Sequence, residues 1–497
     1  MDKQSRNRLP EQCLFMNANG EIMRIEYGKP GFNRSELNTE NRKANQVIVN
    51  SYNEKHGITA EQVDTMHQGA LFGWNVPQLS RQEHSGMKSG HIFEVEISRP
   101  GSFGAETSST LTLPAAPYEI LDALDKARIT NERVIYSAEI IGCELDYLPQ
   151  FIGNNANLYE LNHLAERLFS LNEWELDCFE GMVMMDTIRT QYSPIAVDRL
   201  INMTHSMNDC HVVYEAHDDS TLGKFYADND FVQKLKNVPD EIYECLDFGK
   251  IGKEMREGEG GVFTPHGYVV QNGEILQTYH SGDAVTLEKP DYTVLLRVTK
   301  GYFNDPQYDN NLVAFLKLPA DDEMLSQAVE AVKAASPEEC VFSAADCMIP
   351  SFTEKIGDAL YESEGDRYGL VNELAQQLRH IKEENGVLTY KAMLETTPAD
   401  ISLEDVLDLA FLTGEFELLS ETASPADYAE KEVQRMMSFE SDDGLEQFCN
   451  LEGYGRYLME KYGIAQTPYG LLEQQNGRTV EQCLNNRPSK SHGMEMR

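Results

Sequence analysis

The chain has 497 residues, of which 41% are apolar, and its 82 acids stand against 42 bases for a formal net charge of −40. That length and apolar content imply several domains, each able to bury a core. No apolar run approaches the roughly 18 residues that span a bilayer, and Met1-Asp2-Lys3-Gln4-Ser5-Arg6 lacks an apolar secretory core, so neither membrane contact nor export is expected and a cytoplasmic location is. The 9 cysteines contain no Cys-x-x-Cys pair, which argues against a zinc site and for reduced, mostly buried thiols.

The first fifty residues are polar, with a turn-forming Gly28-Lys29-Pro30-Gly31, and predict irregular or loosely packed structure. Thr59 and Gln62 make a capping box, Ile58 and Val63 a hydrophobic staple, and Val63, Met66 and Ala70 share one face of the helix that would follow. That helix ends at Leu71-Phe72-Gly73-Trp74 before Pro77, giving a small module with an aromatic plug or a peptide-binding site. Residues 78–91 read as a linker, so 1–92 form a small neutral N-terminal module and linker.

From residue 93 the grammar changes. Phe93, Val95 and Ile97 alternate as a half-buried strand, and a second strand runs through Leu111 and Leu113. Ile120, Leu121, Leu124 and Ala127 then recur at helical spacing, with Asp122 and Asp125 facing outward. Val294, Leu296 and Val298, then Leu325, Ala328, Val329 and Val332, repeat that order. Short amphipathic helices follow at Leu161, Leu164 and Leu168; at Leu374, Leu378 and Ile381; and at Leu403, Val406, Leu407, Ala410 and Phe411, the last capped by Ser402. His211 to His217 alternates as a strand and leads into Asp218-Asp219-Ser220, where Asp219 or Ser220 is the expected N-cap of a helix through Leu222, Phe225 and Tyr226. At the matching place downstream Ser424 caps and Pro425 takes the first helical position. The closing strands at Gly267–Gln271 and from Gly470 each run into an Asn-Gly hairpin signal, and residues 478–497 read as a frayed tail.

This parallelism is a duplication. Gly252-Lys253-Glu254-Met255 and Thr264-Pro265-His266-Gly267-Tyr268 recur as Gly455-Arg456-Tyr457-Leu458 and Thr467-Pro468-Tyr469-Gly470-Leu471, both displaced by 203 residues. Upstream, Leu111-Thr112-Leu113-Pro114 is echoed by Leu316-Lys317-Leu318-Pro319, and Leu161-Asn162-His163-Leu164-Ala165 by Val371-Asn372-Glu373-Leu374-Ala375. A unit of roughly two hundred residues is a duplicated domain, far longer than a solenoid period. The expected fold is α+β, a chain of small mixed α/β subdomains in two units, 93–290 and 291–477. Gly252, Thr264, Gly267, Gly455, Thr467 and Gly470 mark the repeated structural motif. Residues 93–290 carry 34 acids and 14 bases, and residues 291–475 carry 36 and 13. The excess therefore lies in the repeats, where self-repulsion destabilises a compact unit and invites a functional explanation.

Signatures of chemistry are missing. There is no phosphate-binding Gly-x-x-x-x-Gly-Lys-Ser/Thr, no His-Glu-x-x-His and no Gly-x-Ser-x-Gly. Glu257-Gly258-Glu259-Gly260-Gly261 lacks the lysine of a phosphate loop and reads as a flexible loop, and His205, His211 and His217 have a poor ligand spacing. Asp228-Asn229-Asp230 opens like a calcium loop without its glycine and closing glutamate. No catalytic residue, metal or cofactor is expected. What remains is carboxylates on short elements: Asp218, Asp219, Asp228, Asp230, Asp247 and Glu254 in the first unit, and Glu404, Asp405 and Asp408 in the second. On a helix such groups stand about 5 to 6 Å apart, a spacing of the order of that between phosphates, so they form a candidate partner-binding surface.

These residues resemble the ArdA-type antirestriction proteins of mobile elements. The likeness rests on the strand before Asp218-Asp219 and its helix, then Leu246-Asp247-Phe248, Gly252-Lys253-Glu254-Met255 and Thr264-Pro265-His266-Gly267. It covers residues 205–270 best, and 93–204 and the second unit less well. The region from Met66 to Pro77 is similar to a small accessory module in proteins of mobile elements. The resemblance implies an elongated acidic protein that mimics duplex DNA and occupies the DNA path of type I restriction-modification enzymes, without catalysis, cofactor or nucleic-acid binding of its own. It implies a homodimer, which a chain with two units could replace by an internal pseudo-dimer acting as a monomer. Three departures stand out: two units in one chain, Ala423-Ser424 in place of Asp218-Asp219, and the neutral N-terminal module. They leave another host DNA-binding defence protein open as the target. The alternative class is a non-catalytic adaptor or scaffold of a mobile element, in which the acids serve solubility.

Overall fold

The computed structural model describes residues 10–58 apart from 11, 17–20, 27–32, 40–41 and 57; Val63, Met66 and Gly90; and 91–485 apart from 101–107, 130–133, 154–155, 191–193, 237, 282–289, 302–311, 362–366, 423, 438–448 and 475–477. The fold is a mixed α+β one, divided into two compact units: Met1–Gly90 with Ser170–Leu176, and His91–Phe169 with Asp177–Arg497. Among the described residues no helix is long and apolar enough to cross a membrane.

The first unit corrects the expectation of irregular structure before residue 50. Strands β1 (Gln12–Met16), β2 (Ile22–Glu26) and β3 (Asn33–Arg34) form an antiparallel sheet, followed by helix α1 (Arg42–Lys55). Both faces of this sheet are covered. Cys13 and Ile25 pack against Met66 on one side, and Leu14 and Ile22 against Val49 of α1 on the other. A strand buried on both faces shows no apolar-polar alternation, which is why composition alone concealed it. Asn53 ties α1 to the sheet, its amide oxygen accepting from Leu14 N–H at 3.2 Å and its amide nitrogen donating to Leu14 C=O at 2.8 Å. Thr59, Gln62, Ala70, Trp74 and residues 78–89 lie outside the described residues.

The second unit holds both copies. In the first copy β4 (Phe93–Ser98) lies between β5 (Ser108–Leu113) and β6 (Ser137–Cys143), with helix α2 (Pro117–Lys126) following β5. Phe93, Val95 and Ile97 are completely buried, as their alternation predicts. Three helices come next: α3 (Leu158–Phe169), α4 (Glu173–Thr190) and α5 (Val197–Thr204). The third subdomain comprises β7 (Cys210–Val213), α6 (Asp219–Asp228), α7 (Asp240–Tyr243), α8 (Phe248–Glu259), β8 (Val262–Thr264) and β9 (Gly267–Gln271), with β9 central in its sheet.

The second copy repeats the order of the two sheets around a group of helices, with four described helices between them instead of three. It has β10 (Val294–Lys300) between β11 (Val313–Leu318) and β12 (Cys340–Cys347), with α9 (Asp322–Ala331) after β11. Its helices are α10 (Thr353–Tyr361), α11 (Arg367–Glu383), α12 (Val387–Glu395) and α13 (Leu403–Ala410). Then come β13 (Phe416–Leu419), α14 (Pro425–Met437), α15 (Leu451–Tyr462), β14 (Ala465–Thr467) and a central β15 (Gly470–Gln474).

Small irregularities recur with the elements. Leu113-Pro114 and Leu318-Pro319 are both cis, and Arg128 and Lys333 both take positive φ, 60° and 56°. The central strand slips register between Glu94 and Val95 in one copy and between Leu295 and Leu296 in the other. Asn162 clasps both backbone groups of Ala115, at 2.7 and 3.2 Å, and Asn372 does the same to Ala320 at 2.9 and 2.9 Å. The echoed Leu-Pro and Asn motifs are thus the two ends of one clasp.

Several expectations are corrected. Strand β7 ends at Val213 instead of reaching His217, because Ala216 N–H turns back to Val213 C=O at 3.1 Å. Asn272-Gly273 closes no hairpin: Asn272 N–H donates to Asp209 C=O at 2.9 Å, and a Cβ on Gly273 would lie 2.3 Å from the Asp209 carboxylate. The glycine-rich run at 257–261 is the end of α8, capped by left-handed Gly260, with Gly261 packed beneath Tyr268. Phe411, the C-cap just past α13, is 58% exposed, although the apolar residues of α13 are buried. In the expected tail, Val480–Asn485 form a further helix, α16, that buries Val480 and Cys483; residues 486–497 lie outside the described ones.

The segment after β9 is held by a side chain. The Asn202 amide oxygen accepts from Thr278 N–H and Tyr279 N–H, both at 2.8 Å, and its nitrogen donates to Tyr279 C=O at 2.8 Å. Asn202→Ala is expected to cost about 2–3 kcal/mol, because buried backbone groups lose their partners. A denaturant midpoint within error of the parent would contradict this.

Candidate partner-binding surface

The repeated motif builds the third subdomain. Helices α6 and α8 cross where a Cβ on Gly252 would stand 1.8 Å from Asp219 O, and one on Gly223 1.9 Å from Phe248 O. In the second copy a Cβ on Gly455 would stand 1.9 Å from Pro425 O. Only glycine permits helix backbones to come this close. Thr264 and Thr467 are buried, and each hydroxyl donates across the hairpin, to Gly267 C=O at 3.2 Å and Gly470 C=O at 2.7 Å. Gly267 and Gly470 have φ of 148° and 140° and lie against the ends of β7 and β13. The motif residues therefore position the elements that carry the acids.

The carboxylates divide into two kinds. Asp218, not Asp219 or Ser220, is the N-cap of α6, accepting from Thr221 N–H at 2.7 Å, and hydrogen bonds from Thr221 hold its carboxyl below the usual range. Asp219 turns inward to Arg256, which donates twice at 2.8 and 3.1 Å and lowers its pKa. Asp228, at the end of α6, accepts from Tyr243 and lies 3.3 Å from Lys224. Asp230, with a φ of 59°, and Glu254 are exposed, and Asp247 caps α8 by accepting from Lys250 N–H at 3.0 Å. Asp219 and Asp228 are thus paired with local cations, while Asp218, Asp230, Asp247 and Glu254 stand exposed. In the second copy Ser424 and Asp427 make a reciprocal capping box at 3.1 and 3.1 Å in place of the paired aspartates. Glu404 and Asp405 are exposed and Asp408 half-buried on α13, where Ser402 caps as expected and also donates to Asp405 at 2.8 Å.

The structure also places a polar cluster that the sequence reading missed. Asp122 and Asp125, expected to face outward, lie against the second copy. Lys391 of α12 is 3% exposed, with its ammonium 2.7 Å from Asp122 and 2.9 Å from Asp125, and Tyr469 donates to Asp122 at 2.8 Å. One turn earlier Tyr118 donates its hydroxyl to Tyr292 C=O and its N–H to Asp346 at 3.3 Å, while Tyr292 donates to Asp346 at 2.7 Å. Burial drives the Asp346 carboxyl up, only partly opposed by these donors. A signal did exist: Lys391 is the lone charge inside the apolar run Val387 to Leu394. The contact is not reciprocated, since Gln327 and Glu330 of α9, the counterparts of Asp122 and Asp125, are exposed. One copy's helix thus meets a different face of the other, unlike the self-complementary contact of a two-fold pair.

Compared with known proteins, the chain matches no family model and no curated protein.

Proposed function

We propose that this protein is an antirestriction protein of the ArdA type, which mimics duplex DNA and occupies the DNA-binding path of a type I restriction-modification enzyme or another host DNA-binding defence complex. The observation that carries this reading is the surface of the third subdomain, where Asp218, Asp230, Asp247 and Glu254 stand exposed on successive short elements. The 34 acids against 14 bases of the first copy, and 36 against 13 of the second, extend that field. Fixed carboxylates exchange counterions as phosphates do, so they enter a basic channel by the same physics. The protein acts by occupancy, without catalysis or cofactor.

The test is inhibition of DNA cleavage by a purified type I restriction-modification enzyme, with direct binding measured at several salt concentrations. Binding is expected to compete with duplex DNA and to weaken by about 10³–10⁵ between 50 and 200 mM salt, as for a ligand making several phosphate-like contacts. Simultaneous binding of DNA, or an affinity indifferent to salt, would refute mimicry. Among variants, reversing Glu404, Asp405 and Asp408 together should weaken inhibition more than Asp218→Asn, since single screened charges contribute little. Asp219→Asn should act on stability, because that carboxylate serves Arg256. The adaptor reading draws on exposed Phe231, Phe315 and Tyr457, and gains if binding is insensitive to salt.

A further inference from the structure

The two copies differ in charge at the bend that follows their first helix. In the second copy Lys333 takes a positive φ after α9, its C=O accepts from Lys300 Nζ at 3.0 Å, and the same ammonium lies 3.6 Å from the Glu339 carboxylate. That carboxylate also accepts from Ala335 N–H at 3.0 Å, so it sits between one cation and one backbone donor. The first copy builds the bend from arginines. Arg128 takes the positive φ after α2, and its C=O accepts from Arg99 Nη1 at 3.5 Å. The helix ends correspond bond for bond: Arg128 N–H donates to Asp125 C=O and Ile129 N–H to Leu124 C=O, as Lys333 does to Glu330 and Ala334 to Val329. The carboxylate does not correspond. Glu339 stands two residues before Val341, the strand partner of Thr299, whereas two residues before Ser137, the partner of Ser98, stands Ile135, which is 78% exposed.

The first copy therefore keeps the cations of this bend and replaces its anion. Arg128 is only 6% exposed, where its counterpart Lys333 is an exposed residue, and the Arg128 Nε–H is sealed from solvent with no acceptor. Such an orphaned donor is costly, the more so on a charged group. Among the described residues neither arginine forms an ion pair. The field of Glu421, exposed on the turn after β13, reaches Arg128 but offsets only part of the burial, which holds the guanidinium below its ordinary value. In a chain with 82 acids against 42 bases, two neighbouring guanidinium groups without a carboxylate call for an anion from outside. Arg99 is half-buried and Ile135 exposed, so the bend opens to solvent on the side where Glu339 sits in the second copy.

We infer that the Arg99–Arg128 bend binds a free oxyanion of the phosphate class, in the position that the Glu339 carboxylate takes in the second copy. Guanidinium groups match such oxygens with paired N–H donors, and two of them favour a dianion over a single carboxylate. The anion meets Arg99 at the rim and gives Arg128 the acceptor that the chain does not supply. This site is separate from the acidic surface proposed above, and its test involves neither DNA nor a restriction enzyme.

The intact protein is titrated with potassium phosphate at constant ionic strength, held with potassium chloride, and followed by calorimetry and by thermal unfolding. Binding is expected to saturate in the millimolar range or below and to raise the unfolding temperature over the same concentrations. Acetate, with a single charge, should bind about tenfold more weakly. Arg128→Gln should raise the half-saturating phosphate about tenfold and Arg99→Gln about threefold, as expected for lost charge-assisted hydrogen bonds. Lys253→Gln, which removes an exposed cation of α8, should leave it unchanged. Ile135→Glu places the carboxylate of the second copy at an exposed position, and should weaken phosphate binding about tenfold by filling the site from within. It carries the decision if Arg128→Gln does not fold. A response that fails to saturate, that acetate reproduces, or that persists unchanged in a folded Arg128→Gln or Ile135→Glu protein would overturn the inference.

Discussion

Replacing Lys391 by methionine is expected to lower stability by about 3–5 kcal/mol, because Asp125 then loses its ion-pair partner and the buried Asp122 keeps only Lys126, 2.9 Å away. Lys391 is almost fully enclosed, and Asp122 and Asp125 expose 8% and 27% of their side chains. Burial works against all three charges. For Asp122 the pull of Lys391 and Lys126 wins and its carboxyl falls below the usual value. For Asp125 burial wins and its carboxyl rises. For Lys391 burial is outweighed by Asp125 and Asp122, and the ammonium is held above its ordinary value. The lowered Asp122 contributes stability above the ordinary aspartate value of 3.8, lost as pH falls through its folded value. The raised Lys391 contributes stability below the ordinary lysine value of 10.5, lost as pH rises through its folded value. Asp125 opposes both while it is ionised. The contribution is therefore greatest between those limits, and the penalty of Lys391→Met should shrink toward acid pH as the orphaned carboxylates protonate. Urea unfolding across pH measures this. Adding Asp122→Asn and Asp125→Asn to Lys391→Met should restore most of the loss, since removing a buried ion pair whole costs far less than breaking it. A loss below about 1 kcal/mol, the range of a surface ion pair, would show that the cluster is solvated.

Gly252→Ala should cost about 3 kcal/mol, the upper end for overpacking. The obstacle is a backbone oxygen 1.8 Å from the new methyl, and no rotamer change relieves it. Gly455→Ala meets Pro425 O at 1.9 Å and should behave alike. Gly258 provides the control. It lies in the same helix with nothing within 4 Å of a new Cβ, so Gly258→Ala should stabilise by about 0.5–1 kcal/mol through helix propensity. Equal effects at 252 and 258 would mean that the helices part freely.

The periodic parts of the fold were legible because they rest on local physics. Phe93, Val95 and Ile97 alternate because one sheet face is buried, and Leu161, Leu164 and Leu168 recur because one helix face is. The recurrence of elements was legible too, since the Asn clasp appears at both places and a Cβ at either glycine crossing would meet a backbone oxygen. Residues whose surroundings come from elsewhere in the chain were not legible. Asp122 and Asp125 lie on the polar side of α2, and only the second copy turns that side into an interior. Asn272-Gly273 is turn-forming anywhere, but a hairpin needs a following strand, and here Asn202 takes up the backbone groups instead. The paired Asp218-Asp219 reads as one acidic element, whereas the structure makes the first a cap and the second the counterion of Arg256.

The one-way contact between the copies makes their order in the chain matter. Substitutions at Asp122 and at Gln327 occupy equivalent places, yet the first is constrained by Lys391 and the second is not, so the two halves should drift at different rates. A rearranged gene encoding the second copy ahead of the first would set the exposed α9 where α2 now sits and demand a new complement for every residue at the junction. The two halves are in this sense not interchangeable: they share one order of elements, but the contact between them runs one way.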